Sequence, residues 1–235
     1  NRADGTVSVF TISGKTLTAA GTVDLGNPRS GPCHVAFLPG DKAALVTRDG
    51  DHKISLLAID GDKVDYTKQD MVGGIRPYSL DVSAKGDVAV VGNQGGGLGD
   101  TDVINVVDLK AHPPRIVDTI AVGQTPEGIG MSADGAYVAI TVMNGSNRPR
   151  THQAYNDFGL VKVFRIADGR LSPVAEAKVG HWCQGIAFSQ DSSLVAVQCM
   201  VEKEVQLLAF DGKELRPAGA MKVSGGPAGL GGAAP

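Results

Sequence analysis

Water attacks a carbonyl efficiently only when a base takes its proton and a cation or hydrogen-bond donor holds the developing oxyanion. Glu127 and His34 are candidate bases, and Arg76 and His181 are candidate oxyanion partners. All four stand at or beside Gly- or Pro-containing corners of the chain. A second group, Arg148, Arg150, His152 and Tyr155, falls within one polar stretch (144–157), and Arg48 opens another, Arg48-Asp49-Gly50-Asp51-His52. Guanidinium groups pair well with carboxylate or phosphate, so these side chains could clamp an anionic or sugar-like ligand. The alternative for these loops is a solvated surface. Cys33 and His34 are adjacent, but neighbours along a strand point to opposite faces and do not form a nucleophile–base pair.

The elements that must position these residues are written in a repeat. A corner, an apolar strand, a turn rich in Ser, Asp, Gly or Lys, and a second apolar strand recur from Pro32, Pro77, Pro126 and Cys183, and the motif begins again at Pro227. Pro126-Glu127-Gly128-Ile129-Gly130-Met131, for example, runs through Ser132-Ala133-Asp134-Gly135 into Tyr137-Val138-Ala139-Ile140. Successive corners lie 45, 49, 57 and 44 residues apart, a period that fits one four-stranded propeller blade. Third strands are expected at 53–60, 103–110, 160–168 and 204–211, each followed by a fourth strand. The 57-residue spacing reflects the polar stretch 144–157, an insertion within one blade. Residues 6–13 and 18–26 read as third and fourth strands with no first and second before them. The motif at Pro227 supplies a first strand only.

The expectation is therefore an all-β chain forming a single propeller domain over 1–235. It has four full blades and half-blades at each end, either closed as a five-bladed ring or forming a section of a larger one.

In such a ring the first strands line the channel. Loops joining strand four to strand one share a face with those joining strands two and three. Side chains at equivalent corner positions, Cys33, Tyr78, Glu127, Gln184 and Ala228, then converge on one mouth. This set varies in size and charge, which makes Tyr78 and Gln184 candidate ligand contacts beside Glu127; ordinary packing of a channel mouth is the competing reading. Trp182, the one tryptophan, sits at a corner as either a stacking platform or a wedge between blades.

Cys183 and Cys199 lie symmetrically about Asp191, so a tight hairpin would bring them to cross-strand distance, about 4.5–5.5 Å between Cβ atoms. They read as a disulfide or as two buried thiols. A bridge would imply folding in an oxidising compartment, periplasmic or secreted; two thiols suit the cytoplasm equally.

The Gly-x-x-Pro corner, the Ser-x-Asp-Gly turn and the Val-x-Val-x-Asp strand together resemble the YVTN-repeat, lactonase-like propeller family. Ser132-Ala133-Asp134-Gly135-Ala136-Tyr137-Val138 is the nearest match, with Ala44-Leu45-Val46-Thr47 similar to the name-giving strand. The resemblance runs from Thr6 to Leu230 and rests on turn and core residues. It implies a sugar-lactone hydrolase, and members usually have seven blades, about two more than this chain supplies. The alternative function is a non-catalytic scaffold whose loop face binds a protein partner.

Composition narrows the remaining classes. A net charge of −3 with 42% hydrophobic residues argues against a nucleic-acid binder and against a disordered chain. No apolar run is long enough for membrane insertion as a helix. The chain opens on polar Asn1-Arg2-Ala3-Asp4-Gly5, without the pattern of a secretory leader. Paired acids at Asp49/Asp51 and Asp100/Asp102 do not match a calcium loop. No Cys-x-x-Cys-His and no histidine cluster is present, so no metal or cofactor is indicated.

Overall fold

A computed structural model describes residues 1–231 and contains eighteen strands and no helix. The first two, β1 (Thr6–Ser13) and β2 (Thr16–Asp24), pair only with each other. Four antiparallel four-stranded sheets follow. Blade one is β3 (Pro32–Phe37), β4 (Ala43–Arg48), β5 (Lys53–Asp60) and β6 (Lys63–Met71). Blade two is β7 (Pro77–Val82), β8 (Val88–Asn93), β9 (Asp102–Asp108) and β10 (Arg115–Gly123). Blade three is β11 (Pro126–Met131), β12 (Tyr137–Val142), β13 (Gly159–Ala167) and β14 (Arg170–Val179). Blade four is β15 (Cys183–Phe188), β16 (Leu194–Cys199), β17 (Glu204–Phe210) and β18 (Leu215–Lys222). The first strands β3, β7, β11 and β15 neighbour one another in that order and line the channel.

The local chemistry explains why each hairpin turns where it does. In blade three Ser132 Oγ accepts from the Tyr137 N–H at 2.8 Å and donates to Asp134 Oδ1, which accepts from the Ala136 N–H at 2.9 Å. Ser189 and Asp191 build the same turn in blade four. Gly135 closes it at φ 69°, a left-handed conformation that glycine adopts without a Cβ penalty.

Second strands read as continuous apolar runs because they are buried on both faces; β8 is buried at every position. Their side chains form an apolar core between each adjacent pair of blades. One core joins Leu45 and Ile54 to Leu80 and Val91, and the next joins Val90 and Ile104 to Val138 and Ile140. Another joins Val161 and Val163 to Val195 and Val197, and a smaller one seats β1 and β2 on blade one through Val23, Leu25, Val46 and Leu57. Burying each such side chain contributes about 1.5–3 kcal/mol relative to exposure.

One expectation changes and one alternative is resolved. Among the described residues no strand forms at Pro227–Leu230, so there is no second half-blade and no fifth four-stranded sheet. The cysteine pair left open by the sequence is a disulfide: Cys183 and Cys199 are cross-strand partners with Cα atoms 4.0 Å apart.

Candidate functional site

Each channel strand begins at a corner whose last residue is left-handed: Gly31 (φ 60°), Arg76 (φ 58°), Thr125 (φ 56°) and Trp182 (φ 50°). Only the first is glycine. The backbone ties each corner to the loop between strands two and three of its own blade. The Gln94 N–H donates to Arg76 O at 2.9 Å, Met143 N–H to Thr125 O at 3.0 Å and Met200 N–H to Trp182 O at 3.3 Å. Left-handed backbone costs a non-glycine residue roughly 1–2 kcal/mol. Here three such residues are held where their side chains face the channel mouth.

The mouth holds a cavity of about 380 Å³, lined by Arg76, Tyr78, Gln94, Thr125, Glu127, Arg148, Trp182 and Gln184 among others. Glu127 lies at its centre, only 7% exposed. Its Oε1 accepts from Gln184 Nε2 at 2.6 Å and its Oε2 from Gln94 Nε2 at 3.1 Å. Gln94 is fixed in turn by Arg76, whose Nη2 donates to Gln94 Oε1 at 3.1 Å and lies 3.7 Å from Asp49. Burial raises the Glu127 pKa to about 7, against the two amide donors and the Arg76 charge that favour the anion. A carboxyl with that pKa changes charge near neutral pH, as a general base must. Tyr78 is pushed above the ordinary phenol value by burial and then by the Glu127 charge. Cys33 is also part-buried, and burial with the nearby Asp49 charge raises its thiol to about 11, which keeps it protonated.

The other sequence candidates are placed elsewhere. His34 faces a separate cavity at the opposite end of the channel, with Asp81, Met131 and Ser132, and does not share a cavity with Glu127. His181 stands outside the mouth cavity. Its Nδ1 pairs with Glu202 Oε1 at 2.6 Å and its Nε2 with Asp157 Oδ1 at 3.1 Å, and the Glu202 hydrogen bond foremost raises its pKa. The expected meeting of either base with either oxyanion partner therefore reduces to Glu127 with Arg76.

Arg48 is 1% exposed and serves blade one: it pairs with Asp51 and donates to Ser55 Oγ and Tyr66 OH at 3.1 and 3.0 Å. Arg148 donates to Gly97 O at 2.6 Å and meets His152 at 3.2 Å. Arg150 and Tyr155 both turn to Asp157, at 3.2 and 2.5 Å. Each of these four residues of the insertion engages neighbours of its own, and Arg148, Arg150 and Tyr155 line one cavity outside the mouth, without His152.

Gln94, Thr125 and Asn147 line the mouth without having been singled out in the sequence. For Thr125, the last residue of its corner, the one signal available is a glycine at the equivalent position 31.

No family model matches the sequence, and no curated protein matches it at a significant level. Among solved structures the chain is similar to a protein described as a candidate 6-phosphogluconolactonase from Bacteroides fragilis. That match has a TM-score of 0.77 and 18% identity, covering 96% of this chain and 67% of that one. It is also similar to a periplasmic gluconolactonase of Pseudomonas aeruginosa (TM-score 0.72, 16% identity, 95% and 65% covered). Hydrazine synthase of Kuenenia stuttgartiensis is a third (TM-score 0.70, 18% identity, 90% and 60% covered). The chain thus spans about two thirds of the length of the lactonase-like proteins it matches. Such neighbours share architecture while differing in chemistry. Repeat, blade topology and neighbours together establish that the chain has a β-propeller fold of four-stranded blades, similar to that of these solved structures.

Proposed function

We propose that the channel mouth binds a small polar, carbonyl-bearing ligand and hydrolyses a sugar lactone, with Glu127 as general base and Arg76 as the cation beside the developing oxyanion. The observation that carries this reading is a buried carboxyl with a pKa of about 7, oriented by two amides beside a guanidinium in one cavity. Water activated by ionised Glu127 attacks the lactone carbonyl, and the ring oxygen leaves as a hydroxyl on the resulting hydroxy acid. Tyr78 and Gln184 contact the ligand. The lactonase-like structural neighbours favour a lactone over other carbonyl substrates, and the Cys183–Cys199 disulfide favours a periplasmic or secreted location.

The test is lactone turnover followed by proton release. Glu127→Gln is expected to lower kcat by about 100-fold or more, the usual contribution of a general base. In the wild type kcat/KM rises with pH through about 7 as Glu127 ionises. Wild-type turnover by the Gln variant would overturn the Glu127 assignment, and no lactone turnover by the wild type would leave the loop face as a protein-binding surface.

A further inference from the structure

We infer that the Glu127 cavity is the inner half of a two-part ligand site, whose outer half, on the far side of Trp182, takes an apolar ring carried by the ligand. The inference rests on the mouth being the lactone site. The outer cavity, about 350 Å³, shares Asn147, Arg148 and Trp182 with the inner one and continues past them to Pro149 and Val201. Each cavity alone lies near the lower end of the roughly 300–1,000 Å³ typical of small-molecule sites.

Apart from Asn147 Oδ1 and Arg148 Nε, which are buried without partners among the described residues in the wall shared with the inner cavity, the outer cavity's main polar side chains are committed. Arg150 pairs with Asp157 at 3.2 Å, and the Tyr155 hydroxyl donates to Asp157 at 2.5 Å. His181 is held between Glu202 and Asp157, and Ser146 Oγ donates to Met143 O at 2.7 Å. An anion reaching Arg150 here would have to displace Asp157, whereas an apolar ring breaks none of these bonds. Beyond the shared wall, the uncommitted surface is apolar: Trp182 is 37% exposed and Val201 57%. Trp182 is also fixed for the role. Its N–H donates to Ser146 Oγ at 3.0 Å and its carbonyl accepts from Met200 at 3.3 Å, so blade three and blade four both hold its backbone. A flat ring stacked on an indole in this way gains from area and from geometry.

Trp182 is the one tryptophan of the chain, so its fluorescence reports this cavity directly. The probes are 4-hydroxybutyrate and 4-hydroxy-4-phenylbutyrate, the ring-opened forms of γ-butyrolactone and its γ-phenyl derivative. The phenyl acid is expected to perturb the fluorescence and to bind at least tenfold more tightly. Val201→Asp should reduce that advantage to less than threefold while leaving the affinity of the unsubstituted acid unchanged. Equal affinities in the wild type, or an advantage that survives Val201→Asp, would overturn the outer site. Turnover of both lactones without a phenyl preference removes the outer site and keeps the hydrolase. Tight, Val201-dependent binding of the phenyl acid without turnover of either lactone keeps the two-part site and removes the hydrolase.

Discussion

Glu127 concentrates the chemistry of the molecule in one proton. Its folded pKa of about 7 lies above the ordinary 4.5 because burial disfavours the anion more than Gln94, Gln184 and Arg76 support it. The native state therefore binds this proton more tightly than the unfolded chain does. The stability so contributed is fully present below about pH 4.5 and is lost as pH rises through 7. At about 1.4 kcal/mol per unit the loss is about 3 kcal/mol. Urea unfolding at pH 5 and pH 8 should show the wild type losing stability relative to Glu127→Gln by this order, and parallel profiles would contradict the burial argument. Glu127 was visible in the sequence as the one acid in an otherwise uncharged ring of corner residues. Gln94 was not, because it reaches Glu127 from the next blade back, 33 residues away. The left-handed set Arg76, Thr125 and Trp182 was also hidden, because only Gly31 advertises that backbone.

At the scale of the strand, neighbouring blades are joined by hydroxyls at the mouth. Thr47 Oγ1 donates to Tyr78 O at 2.5 Å, Thr141 Oγ1 donates to Gln184 O at 2.9 Å, and Ser79 Oγ donates to Glu127 O. In each case the acceptor is the carbonyl of a mouth residue in the following blade. Thr141 Oγ1 also accepts from the Gly128 N–H at 2.7 Å, and a Cβ on Gly128 would lie 1.9 Å from Gln184 O. The glycine is thus required by the close approach of two channel strands. Thr141→Val leaves two backbone groups without a partner and should cost about 1–3 kcal/mol, read as a lower urea midpoint at unchanged m, with Thr141→Ser retaining most of the difference. The starts of the four complete first strands and the whole of β5 were legible, because corner, turn and alternation agree there. Second strands run two residues past the ends read from the sequence (Val46 and Ile140), since hydrogen bonding continues through Thr47–Arg48 and Thr141–Val142. The inter-blade hydroxyls were illegible, as pairing within a blade leaves a local pattern and pairing between blades does not.

The whole molecule is a series of blades in which each apolar core is shared by one adjacent pair, so stability propagates from neighbour to neighbour. Blade four carries the one covalent link, between Cys183 and Cys199. Closing a loop of this length is worth about 3 kcal/mol in the chain-entropy account, and reduction should lower the urea midpoint accordingly. The link has a second effect. Cys183 directly follows Trp182 and directly precedes Gln184, which is the shorter of the two donors to Glu127. The link lies in the core shared by blades three and four, so reducing it would loosen that donor through the strand that carries it, and a carboxylate that loses a hydrogen bond holds its proton more tightly. The midpoint of the pH–rate profile should then move upward on reduction and return on reoxidation, turning the oxidation state of the surroundings into a proton affinity inside the site.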